Sequence, residues 1–292
     1  LSDGIMPLSL AGEGTQENPY QITTVAEFRS MNDSEAYFKL MNDLDVNDSE
    51  WASGWTSVTL RFKEFDGDGH EIRNINGMSA GTSISIGGVG ERYFKNIKLS
   101  NIIKNGGILF ANSAASSLIF ENVSFSIVGS ADTVIFQNSS GSSSAYIYLN
   151  NSTISLTGRF KSICVKGNDG RIHINRCAFY FDNAIFDSNI FNNSSAAYGE
   201  FNKVAMIGKI NFPNAIVAGR IIDGVSAPQY CYIALDLSES VYKPTTFSYA
   251  SPNRTCFYDK ELLGYELTAG IYLYALTTEQ CKDKDYLNSI GF

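Results

Sequence analysis

The chain has 292 residues and carries 30 acidic against 22 basic side chains, a formal net charge of −8. Because binding to nucleic-acid phosphates needs a basic surface, and no Lys/Arg cluster is present, these counts exclude nucleic acid as a partner. No run reaches the roughly 18 apolar residues of a membrane-spanning helix, so no membrane partner is predicted either. Hydrophobic residues make up 44% and charged residues 18%, with Asn, Ser, Thr and Gly abundant. This composition is typical of a β-rich, helix-poor globular protein.

The N-terminal residues predict no targeting segment. Residues 1–13 have neither a basic region nor a long apolar core, and both are needed for a secretory signal peptide. We therefore expect either a protein that is not secreted or one that has been trimmed, with Met6 as a candidate native start.

A short helix is predicted in residues 24–42. Val25, Phe28 and Met31 lie at helical spacing, and Thr23 or Thr24 is a suitable N-cap. Such a helix would cover an open sheet edge that would otherwise pair with another chain.

From residue 72 onward an apolar–polar–Asn–apolar pattern recurs. Its third positions are Asn74, Asn96, Asn122, Asn151, Arg176, Lys203 and Gly224. The intervals between them are 22, 26, 29, 25, 27 and 21 residues. One coil of a parallel β-helix needs such a period, because it contains three short strands and three bends. We predict an all-β fold: a right-handed, single-stranded parallel β-helix, a solenoid with a short N-terminal capping helix and a C-terminal cap.

The third position of the pattern predicts a structural turn ladder. Its expected members are Asn74, Asn96, Asn122, Asn151 and Gly224. Asn and Gly tolerate left-handed backbone angles best, and Asn side chains on successive coils can bond to one another. Since Arg176 and Lys203 occupy the same position, we expect incomplete polar stacking in the later coils.

Alternating strands between these bends support the same fold. The segments 83–86, 134–136 and 145–149 alternate apolar and polar side chains, which places one set in a core and the other in solvent. The alternative, an antiparallel β-sandwich, would show tight Asn-Gly hairpin turns rather than one marker in each period.

The pattern divides the chain into three segments. We expect an N-terminal segment and cap at 1–64, parallel β-helix coils at 65–227, and a C-terminal closing or assembly segment at 228–292, where the marker disappears. In that last segment, 261–267 predicts a loop or hairpin, and 277–287 predicts a short helical stretch capped by Thr278.

Five cysteines are present, at irregular spacing and without a CxxC motif. They are Cys164, Cys177, Cys231, Cys256 and Cys281. The spacing supports neither a zinc site nor a thioredoxin-like site. We interpret them as buried small hydrophobic residues.

Several segments resemble right-handed parallel β-helix proteins of the pectin-lyase-like superfamily. They are GEGTQENPYQI (12–22), FDGDGHEI (65–72), NGGILF (105–110) and LTTEQCKD (276–283). The resemblance is specific over 12–76 and 274–292 and only a pattern between them. It implies the fold, and a role in bacterial surface proteins or in bacteriophage virion proteins, where such modules serve as fibres, spikes or attachment modules.

Catalysis and metal binding are not predicted. Enzymes on this scaffold cut polysaccharides with paired carboxylates, which should lie about one coil apart. The outward acidic candidates, Glu121, Asp169, Asp182, Asp187 and Asp223, form no such pair. The acidic segments 42–48 and 66–71 lack EF-hand spacing and are explained by turns. We expect no cofactor, a turn role for His70 and an outward strand position for His173.

Exposed aromatic residues are the remaining functional signal. Tyr146 and Tyr148 alternate on one strand face and Tyr180 follows one coil later, so all three are candidate glycan-binding residues. The same side chains could instead form a subunit interface or fill the core. Trp51 and Trp55 are expected to pack on the cap.

The favoured function is that of a non-enzymatic structural or attachment protein. It would be a bacteriophage virion appendage (fibre, spike or decoration) on the virion exterior that binds surface glycan. Its expected partners are other virion or surface subunits, with a homotrimer as one arrangement, and cell-surface polysaccharide. Two alternatives remain open: a secreted bacterial surface adhesin, and a polysaccharide-degrading enzyme on the same fold.

Overall fold

The computed structural model of the protein describes residues 10–76, 81–88, 90–113, 117–138, 146–166, 171–192, 200–214, 220–221, 228–247, 255–268 and 272–290. The first eleven strands are β1 (Tyr20–Ile22), β2 (Tyr37–Leu40), β3 (Leu44–Asp45), β4 (Val58–Arg61), β5 (Glu64–Asp66), β6 (Glu71–Arg73), β7 (Ile84–Gly87), β8 (Arg92–Lys104), β9 (Gly107–Asn112), β10 (Leu118–Gly129) and β11 (Thr133–Asn138). The others are β12 (Tyr146–Asn150), β13 (Thr153–Phe160), β14 (Ser162–Lys166), β15 (Arg171–Asn175), β16 (Ala178–Phe186), β17 (Phe191–Asn192), β18 (Glu200–Asn202), β19 (Ala205–Asn211), β20 (Tyr232–Asp236), β21 (Cys256–Asp259) and β22 (Leu273–Leu276). Among the described residues, the α-helices are α1 (Val25–Arg29), α2 (Lys260–Leu263), α3 (Thr278–Lys282) and α4 (Lys284–Ser289), and Val46–Asp48 form one turn of 3-10 helix.

Within the described ranges, every pairing between these strands is parallel, and the chain winds through about 7 turns of a β-solenoid. The strands form three strips, named here by number. Facet 1 contains β1, β2, β5, β12, β15, β18 and the first halves of β8 and β10. Facet 2 contains β3, β6, the second halves of β8 and β10, β13, β16 and β19–β22. Facet 3 contains β4, β7, β9, β11, β14 and β17. The predicted parallel β-helix is confirmed.

The interior is a column of apolar side chains in register. Phe38, Phe65, Phe94, Phe120 and Leu149 occupy equivalent inward positions of facet 1 on successive coils. The Phe65 and Phe94 ring centroids lie 5.0 Å apart, and those of Phe94 and Phe120 lie 5.7 Å apart. Burying one such ring stabilises the fold by about 2 kcal/mol, so this column fixes the register of the outward side chains.

A corner between facets 1 and 2 carries most of the predicted marker residues. The corner residues are Asn96, Asn122, Asn151, Arg176, Lys203 and Tyr230. Their φ angles, in that order, are 53, 56, 49, 53, 55 and 51°, all left-handed. The predicted left-handed bend is therefore confirmed at Asn96, Asn122 and Asn151.

The other two predicted members, Asn74 and Gly224, are not observed at this corner. Asn74 also has a left-handed φ of 63°, but it follows β6 on facet 2 and lies opposite Asn101. Its Nδ2 donates to Asp45 Oδ1 (2.7 Å), and Asn101 Nδ2 donates to Asn74 Oδ1 (2.6 Å), so it belongs to a second ladder. Gly224 lies outside the described residues, and the Asn202–Gln229 bridge makes Tyr230 the corner residue after Lys203.

Polar stacking along the corner ends earlier than expected. Asn122 Nδ2 donates to Asn96 Oδ1 at 3.0 Å, but Asn151 Nδ2 donates to Glu121 instead of to Asn122. One residue before the corner, Asn202 Nδ2 donates to Asn175 Oδ1 at 2.9 Å.

Short helices lie at both ends, but α1 covers only Val25–Arg29 of the predicted segment and ends before Met31. α2 lies where the sequence predicted a loop or hairpin. Thr24 caps α1 in a capping box with Glu27, in agreement with the expected N-terminus. The Arg29 guanidinium lies 4.4 Å from the ring centres of both Trp51 and Trp55, so the tryptophans pack on the cap as expected. The N-cap of α3 is Thr277 and not Thr278, because Thr277 exchanges both capping-box bonds with Gln280.

The parallel pairing extends beyond the predicted coil segment at 65–227. β1 pairs with β2 before it, and β20, β21 and β22 continue facet 2 after it. The sequence marker lies only at the corner, and its loss at Tyr230 does not end the strand pairing. Four cysteines are buried, as predicted, whereas Cys281 is only partly buried, and all five thiols are free. None of the helices in the described ranges is both long and apolar enough to cross a membrane.

Candidate functional site: a groove on facet 1

The outward side chains of facet 1 form a row parallel to the solenoid axis. Its members, one from each successive coil, are Tyr37, Glu64, Tyr93, Ile119, Tyr148, His173 and Glu200. Adjacent strands of a sheet lie about 4.8 Å apart, so Tyr93 and Tyr148 flank Ile119 at a separation of about 10 Å. The row is thus an aromatic frame around an apolar floor.

A groove of about 450 Å³ follows this row. It is lined by Glu64, Glu91, Tyr93, Lys95, Ile119, Glu121, Tyr148 and Asn150. Ile119 is 9% exposed and forms the floor, whereas Tyr93 and Tyr148 are half-buried and keep part of their rings in solvent. A partly apolar concavity with a few placed polar groups is the usual form of a small-ligand site.

The charged groups of the groove bond to neighbouring protein groups. Lys95 Nζ lies 2.8 Å from Glu64 Oε1, and Glu121 accepts the Asn151 amide. The Tyr93 hydroxyl donates to Glu91 Oε2 at 2.7 Å, and this bond raises the pKa of Tyr93 to about 12. Lys95 has a raised pKa in this carboxylate environment, although burial alone would lower it. The groove therefore carries three carboxylates and one ammonium group, a local excess of negative charge.

Aromatic rings extend the groove toward the later coils. The Tyr148 ring stacks on the His173 ring with centroids 4.9 Å apart at 18°, and the Tyr146 and Tyr148 rings stack at 5.6 Å. His173 Nδ1 also lies 3.4 Å from Glu200 Oε2. The two predicted tyrosines are thus brought together on one face, and His173 is an outward strand residue, as expected.

Tyr180, the third predicted glycan-binding residue, lies elsewhere. It belongs to β16 on facet 2, opposite Ser155 and Ile207, and the corner at Arg176 separates it from Tyr148. Tyr180 is 44% exposed. The three tyrosines therefore do not form one continuous stripe.

The acidic candidates for catalysis do not converge on this groove, apart from Glu121. Asp182 Oδ1 accepts the Asn183 amide on facet 2, and Asp187 forms a two-pronged ion pair with Arg159. Asp169 and Asp223 lie outside the described residues.

The acidic turns bond to protein groups. Asp43 Oδ1 lies 3.2 Å from His70 Nδ1 and accepts the Glu71 N–H, and Asp45 Oδ1 accepts the Asn74 amide. These hydrogen bonds lower the pKa of both Asp43 and Asp45. Across the described ranges, no group of three or more His, Cys, Asp or Glu residues is placed to hold a metal ion.

Sequence reasoning missed most of the groove, although a usable signal was present. Tyr93, Ile119 and Tyr148 each lie three residues before a corner residue, at Asn96, Asn122 and Asn151. Counting back three residues from each marker would have identified the row, because in each coil the facet 1 strand leads directly into the corner.

The fold and this groove define the protein as a parallel β-helix with an outward aromatic groove. Comparison with protein-family models, curated proteins and solved structures finds no match to the chain.

Proposed function

We propose that the protein is a non-enzymatic attachment module that binds a surface glycan in the facet 1 groove, as part of a bacteriophage virion appendage. The observation that carries the binding proposal is the Tyr93–Ile119–Tyr148 row, continued by the stacked His173 ring. Pyranose rings present apolar C–H faces, and tyrosine offers an apolar ring with a polar tip. The row follows the solenoid axis, so a linear glycan would lie along it.

The charge of the groove selects the kind of sugar. Glu64, Glu91 and Glu121 outnumber Lys95, so an anionic sugar would be repelled and a neutral or amino sugar favoured. Each of these carboxylates accepts a bond from the protein, which leaves them better suited to hydroxyl recognition than to proton transfer. This arrangement supports binding without cleavage.

The binding proposal is tested on an array of neutral and amino-sugar polysaccharides with the full chain. We expect Tyr148→Ser to weaken binding about tenfold or more, because the ring supplies a main apolar contact. Tyr272→Ser is the matched control, since Tyr272 is 42% exposed and lies in the C-terminal segment away from facet 1. Equal binding by wild type and Tyr148→Ser would contradict the groove assignment.

Absence of cleavage is tested separately. Incubation with a bound polysaccharide is expected to release no new reducing ends. Release that disappears in both Glu64→Gln and Glu121→Gln would favour the enzymatic alternative. The virion setting is tested by the neighbouring genes, where capsid and tail genes support it and genes for export or polysaccharide use oppose it.

A further inference from the structure

A second concave surface lies on facet 2, beyond the corner. Its cavity of about 640 Å³ is lined by Lys203, Val204, Ala205, Tyr230 and Tyr232. Lys203 is exposed, Tyr230 and Tyr232 are half-buried, and Ala205 gives the surface a small, flat floor. We call this surface the facet 2 trough.

The trough continues along the axis onto the previous coil. Ala178 pairs with Ala205, and Arg176 occupies the corner position before Lys203. Tyr180, two residues after Ala178 on the same outward face, borders the floor from the other side. Two cations and an exposed ring thus surround a floor of small side chains.

The cations of the trough, like several others on this surface, have no carboxylate partner among the described residues. Carboxylates pair with Lys39, Arg73, Lys95, Lys98, Arg159 and Lys209. Arg176 and Lys203 are exposed and form no ion pair with any residue that the structure describes. Strands on adjacent coils lie about 4.8 Å apart, so these two cations form a local positive patch on a chain of net charge −8.

The corner residues beside the trough have a backbone conformation that does not favour their side chains. Arg176, Lys203 and Tyr230 have left-handed φ angles of 53, 55 and 51°, where the earlier corner positions carry Asn. A bulky side chain at such an angle is strained, whereas Asn adopts it readily. Three consecutive corner positions thus lack the Asn that this φ favours, and two of them, Lys203 and Tyr230, line the cavity. This coincidence points to a role for the side chains themselves.

We propose that the facet 2 trough binds a sugar that carries an oxyanion, either a carboxylate or a phosphate. The sugar ring would rest on Ala205 between the Tyr230 and Tyr232 rings, and Lys203 would pair with the oxyanion, with Arg176 extending the positive surface to the next sugar. The Tyr232 phenol faces Cys281 and Asp259, and its burial raises the pKa of Tyr232, which keeps this ring neutral. The Asp259 carboxylate caps α2 by accepting the N–H groups of Glu261 and Leu262, so it is already occupied.

Matched probes distinguish the two sources of the anion. Titration calorimetry at low ionic strength compares sialyllactose with lactose, and glucose phosphate with glucose, on the full chain. We expect at least one anionic probe to bind about tenfold or more tightly than its neutral counterpart, and to weaken as salt screens the charges. Sialyllactose preference assigns a carboxylate ligand, and glucose phosphate preference assigns a phosphate.

The variants Lys203→Asn and Tyr230→Asn place at each site the residue that the backbone favours. Both variants are expected to keep or raise the melting temperature and to lower the affinity for the anionic probe about tenfold. The two measurements together separate an effect on binding from an effect on folding. Lys161→Asn is the control for net charge, because Lys161 is exposed and lies between β13 and β14, away from the trough.

Several outcomes would overturn the proposal. They are equal binding of the anionic and neutral probes, no binding of either anionic probe, retained affinity in Lys203→Asn, or an equal loss in Lys161→Asn. Tyr148→Ser is expected to leave binding of the anionic probe unchanged, so failure of the facet 1 groove and failure of this trough are distinguishable.

Discussion

Asn122 Nδ2 donates a hydrogen bond to Asn96 Oδ1 across one coil at 3.0 Å, and both residues have left-handed backbone angles. Each asparagine thus meets two requirements of the corner. It adopts a φ that most residues avoid, and it links its coil to the next through a side-chain amide. This relationship separates the two contributions experimentally, because glycine satisfies the first requirement and not the second.

Replacing Asn122 tests that separation. Asn122→Ala is expected to lower the free energy of unfolding by about 2 kcal/mol, through left-handed strain and loss of the amide bond. Asn122→Gly keeps the bend and is expected to lower it by only about 1 kcal/mol. Urea denaturation of both variants measures the difference. Equal losses in the two variants would show that the backbone angle contributes nothing.

The repeat could be predicted from the sequence because Asn at the corner reports a backbone need that few residues meet. At Tyr230 a bulky residue adopts the same left-handed φ, of 51°. Because no Asn marks this position, the sequence did not identify Tyr230 as a corner residue. Asn74 shows the opposite difficulty, since a left-handed kink on facet 2 produces the same local pattern as the corner.

The candidate sites were harder to predict than the fold. Tyr146 and Tyr148 were found because they alternate on one strand, which is a local signal. Tyr180 was assigned to the same stripe because the sequence does not show that a bend at Arg176 turns the chain onto another facet. The lining of the groove by Glu64, Tyr93 and Ile119 depends on register across coils, which only three-dimensional pairing defines.

Gly208 tests how closely adjacent coils approach. Its φ is 120°, and an added Cβ would lie 2.1 Å from the Phe181 carbonyl oxygen. Gly208→Ala is expected to destabilise the fold by about 3 kcal/mol or more, because the clash is with backbone and cannot relax through a side chain.

Gly264→Ala is the matched control for this substitution. Gly264 also has a left-handed φ, of 81°, but an added Cβ would have no atom within 4 Å. Gly264→Ala is expected to lower the free energy of unfolding by only about 1 kcal/mol, because alanine is strained at this φ. Thermal unfolding of the two variants compares them directly, and similar melting temperatures would contradict the predicted contact.

Thiol labelling tests the burial of the cysteines. Burial raises the pKa of Cys164 and Cys231, and raises the pKa of Cys177 to about 11, so these thiols are both inaccessible and protonated near neutral pH. Cys281 is the most accessible thiol, although its pKa is also raised to about 11. A disulfide reagent at pH 8 is expected to label Cys281 first and slowly in the native state, and all five cysteines in urea. The Cys281→Ser variant is expected to show no labelling in the native state. Fast labelling of that variant would contradict the burial of the other four cysteines.

Lys104 gives a prediction about pH. Its side chain is 0% exposed, its Nζ donates to the Gly81 carbonyl at 3.0 Å, and burial lowers its pKa from 10.5 to about 8. Below pH 8 the lysine is charged in both folded and unfolded chains, and the buried charge reduces stability. Between pH 8 and 10.5 the unfolded chain binds more protons than the folded chain, so this group makes stability rise with pH.

Lys104→Met isolates this effect from the other groups that titrate in the same range. Buried thiols and phenols with raised pKa values lower stability as pH rises, but they are shared by both proteins and cancel in the comparison. We expect the stability of wild type relative to Lys104→Met to increase between pH 8 and 10.5 and to be constant below pH 7. Urea denaturation across this range measures the difference. A constant difference throughout would mean that Lys104 keeps an ordinary pKa and that its ammonium group reaches water.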